Sequence, residues 1–348
     1  MTHFTVAAAS VRAAGGRRPG PAAAGGDRAA RDQAAVIRPA VARFLAFVLQ
    51  RDEEKQRVPD IRITQAMIDA YDEYTHLTLD RRGFMARLTT LAGSGAAAAA
   101  IAPMLGASSA RAAMVAPDDD RLDAKDITYP GAGSDMKGYL VRPAGAGGKL
   151  PAVIVIHENR GLNPHIRDVA RRMALEGFVA LAPDFLSPLG GTPQDEEAAR
   201  EMVGRLDRAA VAANGVATVA FLEGHDLASG KVGAMGFCWG GGAVNDLAVA
   251  SSALDAGVAY YGRQADAADV PKITAPLLLH YAGQDERINA GIDAYRTALQ
   301  AAGKTFTIHV YDGAQHAFNN DTSQARYHPA AAALAWQRTV SFLREHLA

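Results

Sequence analysis

Gly236-Phe237-Cys238-Trp239-Gly240-Gly241-Gly242 is the stretch on which the reading of this chain turns. It follows an apolar run at 231–235 and opens a helical pattern at 244–250. A strand that reverses into a helix within so few residues holds the residue at the bend in strained backbone geometry. Flanking glycines remove the side chains that would collide there. A cysteine at the bend sits over a helix N-terminus, whose partial positive charge favours thiolate. The Trp239 N–H then points at the oxygen of a bound acyl group. Gly236-x-Cys238-x-Gly240 is thus a nucleophile turn with cysteine where serine is usual. Two readings compete. Cysteine is commonly a small buried apolar residue, and glycine-rich strand-to-helix turns also cradle phosphate. The string does not match G-x-G-x-x-G, however, and it lacks the P-loop lysine.

Outward from the bend, short apolar runs at 137–142, 152–157, 179–183, 256–261, 276–282 and 305–311 alternate with amphipathic stretches at 163–176, 206–223, 290–302 and 328–346. Strand–helix–strand repetition predicts a doubly wound, mostly parallel sheet with helices on both faces, and the turn at 238 resembles that of the α/β-hydrolases, so an α/β-hydrolase fold is expected. Val153-Ile154-Val155-Ile156 and Leu277-Leu278-Leu279 are continuously apolar, as strands covered on both sides should be. Chemistry in such sheets sits at the carboxyl ends of the strands. A nucleophile at 238 needs an orienting acid and a base, in that chain order. Asp285 follows the run at 276–282 and His316 follows the run at 305–311. Among the ten histidines none matches type, order and position so well: His280 and His309 lie inside strands and His346 on the last helix. Glu286 and Asp312 are the fallback acids.

The 348 residues nearly balance 36 basic against 37 acidic side chains, so a general nucleic-acid binder is not expected. With 49% hydrophobic residues the chain can bury a core, and Cys238 as its one cysteine leaves no intrachain disulfide or multi-cysteine zinc site. Residues 1–66 differ from the average, being rich in Ala, Gly and Arg with 11 basic against 6 acidic side chains. Apart from a weak apolar stripe at 36–49 they show no helix or strand period. Residues 1–79 therefore read as a disordered or non-native extension, with Met67 an alternative start. Arg81-Arg82-Gly83-Phe84-Met85 looks like a twin-arginine export signal. An Ala-rich run and the small-x-small Ala110-Arg111-Ala112 follow it, making 80–112 an address for the twin-arginine machinery and a periplasmic or secreted destination. An uncleaved anchor or an ordinary helix are the rivals, and Pro103 with the low transfer energy of Ala weakens the anchor. Residues 113–348 form the expected catalytic domain.

Within 120–348 the chain resembles the dienelactone hydrolases (carboxymethylenebutenolidases), and most closely an exported branch with a twin-arginine leader. His157-Glu158-Asn159-Arg160-Gly161-Leu162-Asn163, the Cys238 turn, Tyr260-Tyr261-Gly262-Arg263-Gln264, and the Asp285 and His316 loops carry the resemblance. It implies a triad of Cys238, Asp285 and His316, a second oxyanion donor in the Asn159 N–H beside that of Trp239, and a Glu158 that touches the cysteine and helps switch its ionisation. A carboxylate near sulfur disfavours thiolate, and a resting thiol resists oxidation. A strand-end Glu158 bonded to backbone or to Arg160 is the plainer alternative. His157, Glu158 and His165 lack the H-E-x-x-H spacing of a zinc site, and no metal or organic cofactor is expected.

The resemblance departs at two places. Pro188 and Asn320 stand where characterised members carry the arginines that hold a substrate carboxylate, and neither can replace a bidentate guanidinium. Arg160, Tyr261 and Arg263 are the candidate substrate contacts. The expected activity is hydrolysis of a small-molecule ester or lactone through a thioester intermediate. A non-catalytic exported binding protein, or an acyltransferase on the same fold, are the alternatives.

Overall fold

Alternate residues of the run at 150–156 enter different cores. Ile154 and Ile156 pack with Leu181, Val232, Leu247 and Leu279 on one side of the sheet, and Val153 and Val155 with Val169, Met173, Met235 and Val258 on the other. A strand buried on both faces has no polar side to show, which is why its sequence does not alternate. The computed structural model describes residues 63–76, 78–106 and 113–348. The apolar stripe at 36–49 and the small-x-small site at 110–112 lie outside the described residues.

Three helices come first: α1 (Gln65–Thr75), α2 (Arg81–Ala92) and α3 (Gly95–Leu105). Strands β1 (Leu122–Pro130), β2 (Asp135–Pro143) and β3 (Leu150–Ile156) lead to α4 (Pro164–Leu175) and β4 (Val179–Asp184). Helices α5 (Glu196–Gly204) and α6 (Arg208–Glu223) precede β5 (Ala228–Phe237), α7 (Trp239–Ala250) and β6 (Ala256–Tyr260). The chain continues through β7 (Leu277–Ala282), α8 (Glu286–Asn289), α9 (Ile292–Ala301), β8 (Phe306–Tyr311) and α10 (Pro329–His346). The eight strands form one sheet in the order β1-β2-β4-β3-β5-β6-β7-β8. From β4 to β8 the neighbours are parallel, whereas β2 runs antiparallel to both β1 and β4. This is the α/β-hydrolase arrangement. Strand order reverses between β3 and β5, where Val155 pairs with Met235, so the loops after these strands open at the switch point that favours ligand sites.

Residues 65–105 form the three helices that open the described chain. They belong to the compact unit Arg62–Ala348. In α1, Met67, Ile68, Tyr71 and Tyr74 are buried, a three-to-four spacing that turns one stripe inward. Phe84 of α2 stacks on Tyr74 with centroids 4.8 Å apart and meets Tyr71 edge-on at 5.8 Å. Asp80 caps α2 by accepting from the Gly83 N–H at 2.6 Å, and Ser94 caps α3 by accepting from Ala97. No single described helix is long and apolar enough to cross a membrane, though the α2–α3 pair, bent by 112°, has the combined length and composition.

The turn at 238 shows why glycine is needed. A Cβ on Gly240 would stand 2.4 Å from the His157 carbonyl oxygen and 2.5 Å from that of Ile156. These are backbone atoms of the neighbouring strand and cannot swing away. Gly240→Ala should therefore destabilise the fold by at least about 3 kcal/mol, the upper end for overpacking. Urea unfolding of the two proteins measures the difference, and a change below about 1 kcal/mol would contradict the close approach.

Candidate active site

Three non-glycine residues among those described have left-handed backbone: Cys238 at φ 54°, Tyr261 at φ 38° and Ala317 at φ 64°. All three lie at or beside the groups the sequence singled out. Such conformations cost about 1–3 kcal/mol each and persist where the surroundings impose them. Here each follows from a strand ending at the same edge of the sheet. β5 ends at Phe237, β6 at Tyr260, and the loop after β8 carries His316-Ala317. The Cys238 N–H donates to the Tyr260 carbonyl at 3.0 Å, and the Tyr261 N–H to that of His280 at 2.7 Å, which locks the bends to their neighbours.

His316 is 2% exposed, and its Nδ1 lies 2.5 Å from Asp285 Oδ2. The other Asp285 oxygen accepts from the Ile288 N–H at 3.2 Å, so the acid also caps α8. Burial opposes an imidazolium at His316, but the Asp285 carboxylate and the Cys238 sulfur outweigh it and raise the imidazole to about 10. Burial likewise works against ionised Asp285, yet His316 and Arg287 hold its carboxyl below the usual range. Cys238 is 7% exposed, and its Sγ lies within 4.8 Å of a His316 ring nitrogen. The structure thus brings Cys238, His316 and Asp285 together. The final contact is left open, for His316 Nε2 is buried without a hydrogen-bond partner.

The sulfur faces another group instead. His76, at the C-terminal end of α1, places Nε2 3.4 Å from Cys238 Sγ and packs edge-on against His316 with centroids 4.8 Å apart. Its Nδ1–H donates to the Asp72 carbonyl at 2.7 Å. Burial, then the neighbouring His316 and Arg287, push His76 well below the ordinary histidine range. Sequence reasoning missed this residue because it falls in the stretch 1–79, read as a disordered or non-native extension. The helical spacing of Met67, Ile68, Tyr71 and Tyr74 was the available signal.

The α1 helix is pinned over the site by polar contacts. Asn159 Nδ2 donates to the Thr75 carbonyl at 2.7 Å, and Arg200 to that of Tyr74 at 3.0 Å. Arg326, buried, pairs with Asp72 at 3.1 Å beneath the Tyr71 ring. Two of the sequence-predicted residues, Arg160 and Glu158, are held by other side chains. Arg160 does not reach the cavity: its guanidinium is taken by Glu196 and the Tyr71 hydroxyl, both at 2.7 Å. Glu158 accepts from Asn320 Nδ2 at 2.6 Å, and no hydrogen bond joins it to the sulfur. Asn320 thus serves as the partner of this carboxylate.

A cavity of about 260 Å³ opens beside the sulfur. His76, Asn159, Cys238, Trp239, Tyr261 and Arg263 are among its lining residues. Arg263 is paired with Asp246 at 2.6 Å, whereas the exposed Arg287 also lines the space. Trp239 begins α7, where the first N–H groups have no intrahelical acceptor. Its indole lies flat on the buried His157 ring at 5.1 Å, which fixes the floor of the cavity. His157 is itself occupied, with Nδ1 against the Glu158 carbonyl at 2.6 Å and Nε2 accepting from the Phe185 N–H at 3.3 Å.

The family model described as the dienelactone hydrolase family matches residues 136–347. A provisionally described carboxymethylenebutenolidase of Salmonella typhi is 34% identical over 250 residues, covering 67% of this chain and 91% of the relative. Its counterpart from Escherichia coli K12 is 35% identical over 245 residues, covering 66% and 89%. Among solved structures, a provisionally described dienelactone hydrolase from Klebsiella pneumoniae superposes with a TM-score of 0.60 at 32% identity, covering 64% of this chain and 99% of that one.

Proposed function

Because the chain belongs to the dienelactone hydrolase family, we propose that it hydrolyses a small carboxylic ester or lactone with Cys238 as nucleophile, His316 as proton carrier and Asp285 as the orienting acid. The observation that carries this reading is the Asp285–His316 pair, buried and 2.5 Å apart, with the imidazole within 4.8 Å of a sulfur held at positive φ. The thiol turns from His76 to His316 and its proton passes to Nε2, where Asp285 stabilises the imidazolium. The thiolate attacks the acyl carbon, and the carbonyl electron pair moves onto oxygen between the Trp239 and Asn159 N–H groups. Collapse expels the alkoxide, which takes the proton from His316 and leaves a thioester on Cys238. Water then gives a proton to His316 and attacks the thioester; the acid departs and the sulfur regains its proton.

Tyr261 and Arg263 line the cavity and are the substrate contacts of this reading, with Arg287 a further cation at its mouth. The limited volume favours a small acyl group. Glu158, fixed by Asn320, acts on the sulfur through its field rather than by contact. Arg81 and Arg82, both exposed at the start of α2, support delivery of the folded chain by the twin-arginine machinery to the periplasm or beyond. Sequencing the N-terminus of exported material checks that part.

The mechanism is tested by trapping the intermediate. Quenching the full-length enzyme in acid during turnover of a short aryl ester should leave the acyl mass on the peptide that contains Cys238, and hydroxylamine should remove it. Turnover without acylation of that peptide would exclude the thioester.

A further inference from the structure

We infer that His76, Cys238 and His316 form a binding site for one divalent transition-metal ion of the zinc type, with His76 Nε2, Cys238 Sγ and His316 Nε2 as ligands. Among the described residues these three donor atoms all lie within 4.8 Å of one another. The Sγ to His76 Nε2 distance of 3.4 Å is close to the roughly 3.5 Å that separates a sulfur from a nitrogen ligand on a tetrahedral ion with bonds of about 2.3 and 2.0 Å.

The hydrogen bonds behind the ligands point the same way. His76 Nδ1 is committed to the Asp72 carbonyl at 2.7 Å, and His316 Nδ1 to the Asp285 carboxylate at 2.5 Å. Each imidazole therefore presents Nε2 to the sulfur, with an outer partner that fixes the ring, as metal-binding histidines have. Two nitrogen donors then converge on a thiol that has a single proton to offer, and the buried His316 Nε2 is left without a partner. One cation satisfies all three donors at once. A thiolate with two imidazoles suits zinc-like ions, and the cavity lined by His76 and Cys238 supplies an open fourth position. Coordination forms a metal–sulfur bond and releases the thiol proton to solvent.

The ligands come from three distant parts of the chain, and α1 delivers the first of them. Its docking through Asn159, Arg200 and Arg326 is what completes the site. The inference goes beyond the proposed hydrolysis. A bound ion occupies the nucleophile and the proton carrier together, so the loaded chain is silent toward esters and a chelator restores it.

The test is titration of the full-length, chelator-stripped protein with Co²⁺, followed by displacement with Zn²⁺. The expected result is one equivalent bound, with a near-ultraviolet thiolate-to-cobalt charge-transfer band that Zn²⁺ abolishes. Cys238→Ser should lose the band. His76→Ala and His76→Gln should each weaken binding by at least about tenfold, the minimum cost of losing even an outer-shell partner, with circular dichroism verifying that they fold. Absence of the band, or unchanged affinity in both folded His76 variants, overturns the site. Ester hydrolysis by the stripped protein is scored separately. A band without hydrolysis leaves the site standing and removes the proposed activity, whereas hydrolysis without a band does the reverse.

Discussion

With alanine at position 238, ester turnover falls by at least about a thousandfold while the protein remains folded. The size follows from how nucleophile, base and acid act as a unit: removing one disables the others, and only the oxyanion donors and substrate binding remain. The fold is expected to survive because alanine keeps the Cβ and little else is asked of the side chain. Cys238 sits at φ 54° whatever it carries, and its backbone bonds to Tyr260 and Gly242 do not involve sulfur. A serine variant makes the assay sharper. It restores a hydroxyl of similar shape, but the oxygen gives up its proton far less readily than sulfur, so activity should stay well below that of the native enzyme. Steady-state kinetics on a short aryl ester, with thermal unfolding as the control for folding, reads the outcome. Native-like rates in the alanine variant would mean that another group attacks the acyl carbon.

Position, more than residue type, made Cys238, Asp285 and His316 legible in the sequence. Each follows a strand of the parallel sheet, and the strands announce themselves because burial on both faces makes β3, β6 and β7 mostly apolar. The edge strand β1 was harder to see. Its run Leu122-Asp123-Ala124-Lys125-Asp126 is mostly exposed, as an edge permits, and so lacks the apolar signal. His76 was hidden for a different reason. It lies 162 residues before Cys238, in the stretch 1–79 that reads as an extension, and no local pattern announces a contact made across such a distance. The Glu158–Asn320 pair shows the same limit. Nothing in the string around Asn320 announces that its amide engages a carboxylate 162 positions away.

Asp285→Asn should lower kcat by about 10⁴-fold, as an equivalent change does in a serine-based triad. Hydrogen-bond accounting at this residue selects the outcome. One carboxylate oxygen accepts from the Ile288 N–H at 3.2 Å and the other faces His316 Nδ1 at 2.5 Å. Asparagine has a single oxygen to serve both. If that oxygen turns to His316, the amide NH₂ meets the Ile288 N–H, donor against donor, and the cap of α8 is lost, at about 1 kcal/mol. If the oxygen keeps the cap, the NH₂ donates to Nδ1 and the imidazole proton moves to Nε2, where it can donate to the sulfur. The second arrangement leaves no donor or acceptor of this group unpaired, so it is preferred. It also presents the cysteine with a proton in place of the lone pair that must receive one. Nitrogen-15 chemical shifts of His316 should accordingly report Nε2–H in the variant and Nδ1–H or imidazolium in the native protein. A loss of less than about tenfold in kcat, with the native tautomer retained, would show that something other than Asp285 orients the base.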